Sequence, residues 1–329
     1  MDSLSIASTG KLAKLFPFRI TFKSWKYLIL LSSYSFLGYK LLTFNHYEDL
    51  SDQWTQMPLS RVWWLAGVFT LLPFNWFLES MKWKMLTARI QKINTSTSVK
   101  AVLSGISTGF FTPNRVGELV GRIAYLEPEN RKAGITMSLV NSLTQNIVMA
   151  LCGIPACILF FIHSAGNLQP EIIHFVWITM VGILVLGFLY FTLPRWSRQL
   201  KTGRLFLSMQ TFTDCLSGYT LKELSEIIGI SLIRYAVFCI QFYFMLRLFN
   251  IELTPFQALL AIPTTYLFIT FTPSLAFSEA AVRSSYAVLI FGAFSCMVVN
   301  IALAGVCIWA VNFIIPMLVG SALMIRKSV

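Results

Sequence analysis

The chain has 329 residues, of which 56% are hydrophobic and 12% charged, and it carries a formal net charge of +12. A soluble domain has about 25% charged residues, whereas runs of roughly 20 apolar residues recur along this chain, as membrane-spanning helices require. Composition therefore excludes a soluble nucleic-acid-binding protein, because the basic residues fall between apolar runs and report topology instead.

The first 24 residues hold Lys11, Lys14, Arg19 and Lys23 and are expected on the cytoplasmic side. Leu12, Leu15, Phe16 and Phe18 would let part of this segment lie on the inner leaflet. A first span is expected over residues 25–44, followed by an acidic external loop with Glu48, Asp49 and Asp52. The second span starts near Val62. Lys82, Lys84, Arg89, Lys92 and Lys100 then return the chain to the cytoplasm.

Residues 101–111 are apolar and small, but too few for a crossing. Arg115, Arg122, Arg131 and Lys132 follow, still cytoplasmic by charge. Residues 99–126 thus read as a re-entrant hairpin turning at Phe111-Thr112-Pro113. Broken backbone of that kind must be covered by protein or line a cavity.

A long span follows at 133–161, then an external turn near Gly166 and an inward span at 172–193, closed by Arg195, Arg198, Lys201 and Arg204. Residues 205–221 read as a loop with a surface helix. A fifth full span covers 224–249. Residues 256–292 form a second broken segment, entered from outside, and 293–325 form one last span, bent at Pro316. Arg326 and Lys327 put the C-terminus in the cytoplasm.

The halves correspond. Phe-Thr-Pro occurs at 111–113 and at 271–273, and Glu118/Arg122 is matched by Glu279/Arg283. The fold expected is an all-α polytopic membrane protein of about six full spans and two re-entrant broken helices. They would form inverted-topology repeats, residues 61–161 and 223–325, within one transmembrane domain, 25–325. The segments 1–24 and 326–329 would be cytoplasmic. Inverted repeats with discontinuous helices are the plan of alternating-access transporters.

The motifs suggest a polar site. Thr112 can cap a helix whose first turn begins at Pro113, and Thr272 and Pro273 can do the same in the second copy. Arg115 would sit in that first turn, against the local helix field, which an anionic partner would relieve. Arg115, Glu118 and Arg122 share one helix face. Glu279 and Arg283 repeat the pair. Charges at membrane depth face a cavity or a partner, and arginine makes bidentate contacts to phosphate. The competing role is structural: Glu–Arg pairs that lock the hairpins together.

Asn141 and Gln145, with Thr144 and Asn146, add polar groups to one span, and Asn75 and Glu79 lie near the inner end of the second. His163 and His174 read as ordinary surface histidines. Cys152, Cys157, Cys215, Cys239, Cys296 and Cys307 show no zinc-site spacing and read as packing residues. No metal, cofactor or catalytic residue is expected.

Pro113-Asn-Arg115-Val-Gly117-Glu118 followed by Arg122 resembles the signature of the transmembrane region of lysylphosphatidylglycerol synthase, a family with many stand-alone, flippase-like members. The resemblance covers roughly residues 25–325. It places Arg115, Glu118 and Arg122 in the first motif and Pro273, Glu279 and Arg283 in the second. The glycine-rich stretch usual in the second motif is replaced by Ser274-Leu-Ala-Phe-Ser278, and Asn141 and Gln145 stand where an acidic–basic pair is common.

The resemblance implies movement of a charged or glycosylated lipid across the bilayer, without the appended aminoacyl-transferring domain and its synthase activity. The function expected is a non-enzymatic, flippase-like transporter of an anionic or modified lipid, a phospholipid or a polyprenyl-phosphate-linked one. The site residues would be Arg115, Glu118, Arg122, Glu279, Arg283, Thr112, Asn141 and Gln145. The alternatives are a membrane-embedded lipid-modifying enzyme and a non-transporting lipid-binding scaffold. The partners expected are membrane lipids and no nucleic acid, with homo-oligomerisation left open. The setting expected is a bacterial inner membrane, with both termini cytoplasmic.

Overall fold

The computed structural model describes residues 61–110, 112, 115–165, 170–200, 210–272 and 276–326. The N-terminal segment and the span expected over residues 25–44 lie outside them, as do Phe111, Pro113, Asn114, Gly166, Lys201, Arg204, Pro273–Leu275 and the last residues of the chain. The described residues are helical, with no strand among them.

In chain order the helices are α1 (Val62–Thr87), α2 (Thr95–Gly109), α3 (Gly117–Ile123), α4 (Arg131–Ala165), α5 (Pro170–Leu200), α6 (Gln210–Ser217), α7 (Leu221–Leu248), α8 (Pro255–Phe271), α9 (Ala276–Phe291), α10 (Val298–Trp309) and α11 (Ile315–Arg326). By length and composition, Pro128–His163, Leu221–Leu248 and Val298–Met324 can each cross a membrane. The last of these joins α10 to α11, so residues after Val298 make one long run rather than two short ones.

Local chemistry sets the helix starts. The Asn94 side chain accepts the Thr97 N–H at 2.7 Å and opens α2. Thr220 and Glu223 form a reciprocal capping box on α7, and Thr254 and Gln257 form another on α8, where Pro255 takes the first turn. Pro316 has no N–H to give the Asn312 carbonyl. The helix widens just before it into a π-helical turn, Ala310–Ile314, in which Ile315 N–H reaches back to Ala310 O. This wide turn lies where a bend is expected, just before Pro316.

α2 and α3 form an antiparallel hairpin, and glycine makes it possible. A Cβ on Gly121 would meet the Ser104 carbonyl and the Gly105 Cα, and one on Gly117 would meet the Thr108 carbonyl. The Thr108 hydroxyl crosses the gap to the Gly117 carbonyl at 2.7 Å. α11 then lies on the back of α2: Gly320 faces the Leu103 carbonyl, and the Ser107 hydroxyl donates to Met317 O at 2.7 Å. Overfilling such a contact costs about 1–3 kcal/mol. Gly121→Ala is expected to lower the thermal unfolding midpoint in detergent, whereas Gly182→Ala, with open space around it, should leave it unchanged.

α8 and α9 make the second hairpin, joined by the stacked rings of Phe268 and Tyr286, whose centroids lie 5.4 Å apart. The main apolar core, including Val68, Val148, Phe242, Leu260, Phe291 and Ile301, draws on α1, α4, α7, α8, α9 and α10. A second core, including Trp83, Val102, Met137 and Tyr219, gathers the end of α1, the first hairpin, α4 and the α6–α7 turn. A smaller cluster of Phe110, Ala280, Trp309, Ile314 and Met317 lies where the two hairpins and the π-helical turn converge.

α5 turns Trp177, Ile178, Val181, Leu184 and Phe188 outward, each more than half exposed. In water such a flank would be an aggregation surface; in a bilayer it meets acyl chains. The protein is an integral membrane protein.

Candidate functional site

The two hairpins, α1, α4, α7 and the π-helical turn enclose a cavity of about 480 Å³. Thr112, Arg115, Glu118, Arg122, Asn141, Gln145, Glu279 and Arg283 all line it. These are the residues that the sequence singled out, drawn from separate parts of the chain.

The first hairpin departs from the expected capping. Pro113 lies outside the described residues; the described helix begins at Gly117, and Thr112 serves it across the turn: its hydroxyl oxygen accepts the Gly117 N–H at 2.7 Å. The Arg115 N–H goes to Thr112 O, and Leu119 N–H to Val116 O. The Arg115, Gly117 and Leu119 amides of this turn are therefore satisfied internally. Arg115 precedes the helix and has φ +58°, a left-handed conformation uncommon for a residue with a Cβ. This backbone turn sends the side chain toward the second hairpin.

In the second copy the helix start expected at Pro273 lies outside the described residues. Thr272 ends α8, and its hydroxyl pairs with the Tyr286 hydroxyl at 2.8 Å.

Charges organise the cavity into two linked groups. In the deeper one Glu79, 2% exposed, is the hub. Its Oε1 accepts from Arg122 Nη2 at 2.6 Å and from Asn141 Nδ2 at 2.7 Å. Its Oε2 lies 3.3 Å from Lys82 Nζ and 3.2 Å from Arg234 Nη1. Arg234 also donates to Asn75 Oδ1 at 2.8 Å and to Gln145 Oε1 at 3.2 Å. Buried ions are tolerated only when paired and hydrogen-bonded in this way.

In the outer group Glu279 Oε1 accepts from Arg115 Nη2 at 2.8 Å and from Arg283 Nη2 at 2.9 Å. Glu118 bridges the groups, 3.2 Å from Arg122 and 3.8 Å from Arg115. The expected intrahelical pairs, Glu118/Arg122 and Glu279/Arg283, are both formed. The Arg115–Glu279 link between hairpins was not visible from spacing.

Two basic residues were overlooked or misplaced by sequence reasoning. Lys82 reads as a cytoplasmic charge, yet it is 0% exposed and bound to Glu79. Its signal was the Glu three residues earlier on the same helix. Arg234 sits within a long apolar span, which by itself marks an intramembrane functional group. Asn312 and Phe313, brought to the cavity by the π-helical turn, carried no sequence signal.

Across both groups the cations Lys82, Arg115, Arg122, Arg234 and Arg283 outnumber the carboxylates Glu79, Glu118 and Glu279. Within the lining, Arg122 Nη1, Asn141 Oδ1 and Gln145 Nε2 are buried without hydrogen-bond partners. The arrangement can receive an oxyanion and offers further donors and an acceptor beside it. No cluster of potential metal ligands occurs among the described residues.

Comparison with known proteins fits this picture at the level of family. The family model described as the lysylphosphatidylglycerol synthase TM region matches residues 27–320. A 78-residue stretch is 32% identical to N-acetyltransferase 8 of Rattus norvegicus, covering 23% of this chain and 35% of that protein. No solved structure matches the chain. Matched over most of its length, the chain belongs to the lysylphosphatidylglycerol synthase transmembrane-region family.

Proposed function

We propose that this protein is a flippase-like transporter that carries an anionic or modified lipid, a phospholipid or a polyprenyl-phosphate-linked one, between leaflets without altering it chemically. The excess of cations over carboxylates around one cavity carries the reading. A lipid phosphate would supply the missing negative charge, and arginine forks match its oxygens. The cavity volume suits a headgroup, with the acyl chains left in the bilayer. The family's tie to a membrane lipid supports the same direction.

The two hairpins, each with a Glu/Arg pair four residues apart, act in this reading as re-entrant halves of an inverted repeat. Alternating access would expose the shared cavity to one leaflet and then the other. Glu118 serves as a counterion rather than a base, because Arg122 holds it.

The test is reconstitution of the full chain into vesicles with fluorescent phosphatidylglycerol and phosphatidylcholine analogues, followed by quenching from outside. The anionic analogue should become accessible faster than in protein-free vesicles, and mass spectrometry should recover it unchanged. Equal rates with and without protein would defeat transport and favour the lipid-binding scaffold. A chemically altered lipid would establish a membrane-embedded enzyme.

A further inference from the structure

Two guanidiniums in the outer group share one aromatic ring and one carboxylate oxygen. Arg115 Cζ lies 3.6 Å from the centroid of the Phe313 ring, and Arg283 Cζ lies 4.6 Å from it. Arg115 Nη2, Arg283 Nη2 and Arg283 Nε all donate to Glu279 Oε1, at 2.8, 2.9 and 3.2 Å. Paired guanidiniums converging on one oxyanion form the geometry that binds a phosphate oxygen. The ring behind them supports both cations through its π-face.

Glu279 differs from Glu79 in what its departure would leave behind. Glu79 holds three cations and an amide in the interior, so nothing can replace it without stranding buried charge. Glu279 holds two arginines beside the cavity, and the side chain of one of them, Arg115, is 33% exposed. An incoming oxyanion can take over both of these contacts.

We propose that Arg115 and Arg283, backed by Phe313, are the phosphate seat, and that the Glu279 carboxylate is the chain's own ligand for it. A phosphate on a lipid headgroup displaces Glu279 when it binds. This rests on the lipid-transport reading above and assigns the phosphate to the arginines that span the two hairpins, rather than to Arg122, which Glu79 and Glu118 already hold.

The exchange has a mechanical result. Arg115–Glu279 is the ion pair that joins the first hairpin to the second among the described residues. Arrival of the ligand therefore replaces the direct Arg115–Glu279 link between them with one that runs through the phosphate, from Arg115 to Arg283. Binding and the exchange of that link become one event, so the ligand state sets what joins the hairpins, as coupling of a ligand to a conformational change requires.

The sign of one substitution tests this. If Glu279 only oriented the arginines, its removal would weaken phosphate binding; as an internal competitor, its removal strengthens it. The measurement is native mass spectrometry of the full chain titrated with dioleoyl phosphatidic acid, for wild type, Glu279→Gln and Arg115→Ala. Dioleoylglycerol, with the same tails and no phosphate, is the control.

Glu279→Gln is expected to bind phosphatidic acid about tenfold tighter, the gain when a seat filled nine-tenths of the time by its own carboxylate is freed. Arg115→Ala should lose the phosphate-dependent binding. Weaker binding by both variants would overturn the competitor role of Glu279 while leaving the lipid reading standing. Identical binding by all three would remove the phosphate from this cavity and defeat both. Inorganic phosphate that binds Glu279→Gln as tightly as the lipid does would overturn the lipid as ligand and keep the seat. Should Glu279→Gln not accumulate, Arg115→Ala/Glu279→Ala is compared with Arg115→Ala alone. The double variant should regain binding through the freed Arg283, and no regain overturns the proposal.

Discussion

Arg115→Ala is expected to abolish transport of an anionic lipid while the protein still inserts and folds. Both halves of that expectation come from the contacts of one side chain. Arg115 bridges the hairpins through Glu279 and stacks on Phe313, so its loss takes one wall from the outer charge group. It does not strand a buried ion, because Glu279 keeps Arg283 and Glu118 keeps Arg122. Arg115 is the exposed end of the pair, and Glu279 stays compensated by Arg283, so the unfolding midpoint in detergent should move little.

Arg115→Lys retains charge but not the planar fork, and its transport rate should fall between those of wild type and alanine. Arg115→Gly relieves the left-handed backbone as well, and equal loss in the glycine and alanine variants would locate the effect in the guanidinium. Transport at the wild-type rate by Arg115→Ala would sink the clamp and return the Glu–Arg pairs to a purely structural role.

Glu79→Ala should do the reverse and prevent accumulation of folded protein. Its carboxylate compensates Lys82, Arg122 and Arg234, and accepts the Asn141 amide. Removing one partner of a buried charge pair costs about 3–5 kcal/mol, and here several partners lose their counterion together. A net stability of about 5–15 kcal/mol, the range for soluble domains, leaves little margin. The measurement is the yield of monodisperse protein and its thermal midpoint. Glu79→Gln combined with Lys82→Met should recover part of the loss, because one stranded cation is removed with the carboxylate. Wild-type yield and midpoint for Glu79→Ala would show that water, not Glu79, compensates these cations.

The contrast between Arg115 and Glu79 shows what the sequence made legible. The motif Arg115–Glu118–Arg122 and its echo Glu279/Arg283 stood out because charge is rare in apolar sequence. Helical spacing also correctly paired residues four apart. Partners distant in sequence were not legible: Arg115 reaches Glu279 from another hairpin, and Arg122 reaches Glu79 from another helix. Counting charges for topology hid Lys82, since a lysine at the end of an apolar run reads as a solvent-facing flag until its buried carboxylate is seen.

Thr112 was recognised as a cap, and the amide its hydroxyl serves is that of Gly117, five residues on, a reach that the turn geometry and not the spacing sets. The long helices and the break at Thr272 followed from apolar run length and proline. The π-helical turn did not, because a single proline fixes the site of a disturbance but not its form.

That turn has a consequence best put as phase. A π-helical turn holds about one residue more than an α-helical one, and one residue is about 100° of rotation. The long helix that ends the described chain is therefore two screws set out of step. Its first part offers Gly305 to Ser284 on the second hairpin, and its last part offers Gly320 to Leu103 on the first. One helix thus serves as a common spindle for both hairpins, and the angle between the faces it shows them is written into five residues, Ala310–Ile314.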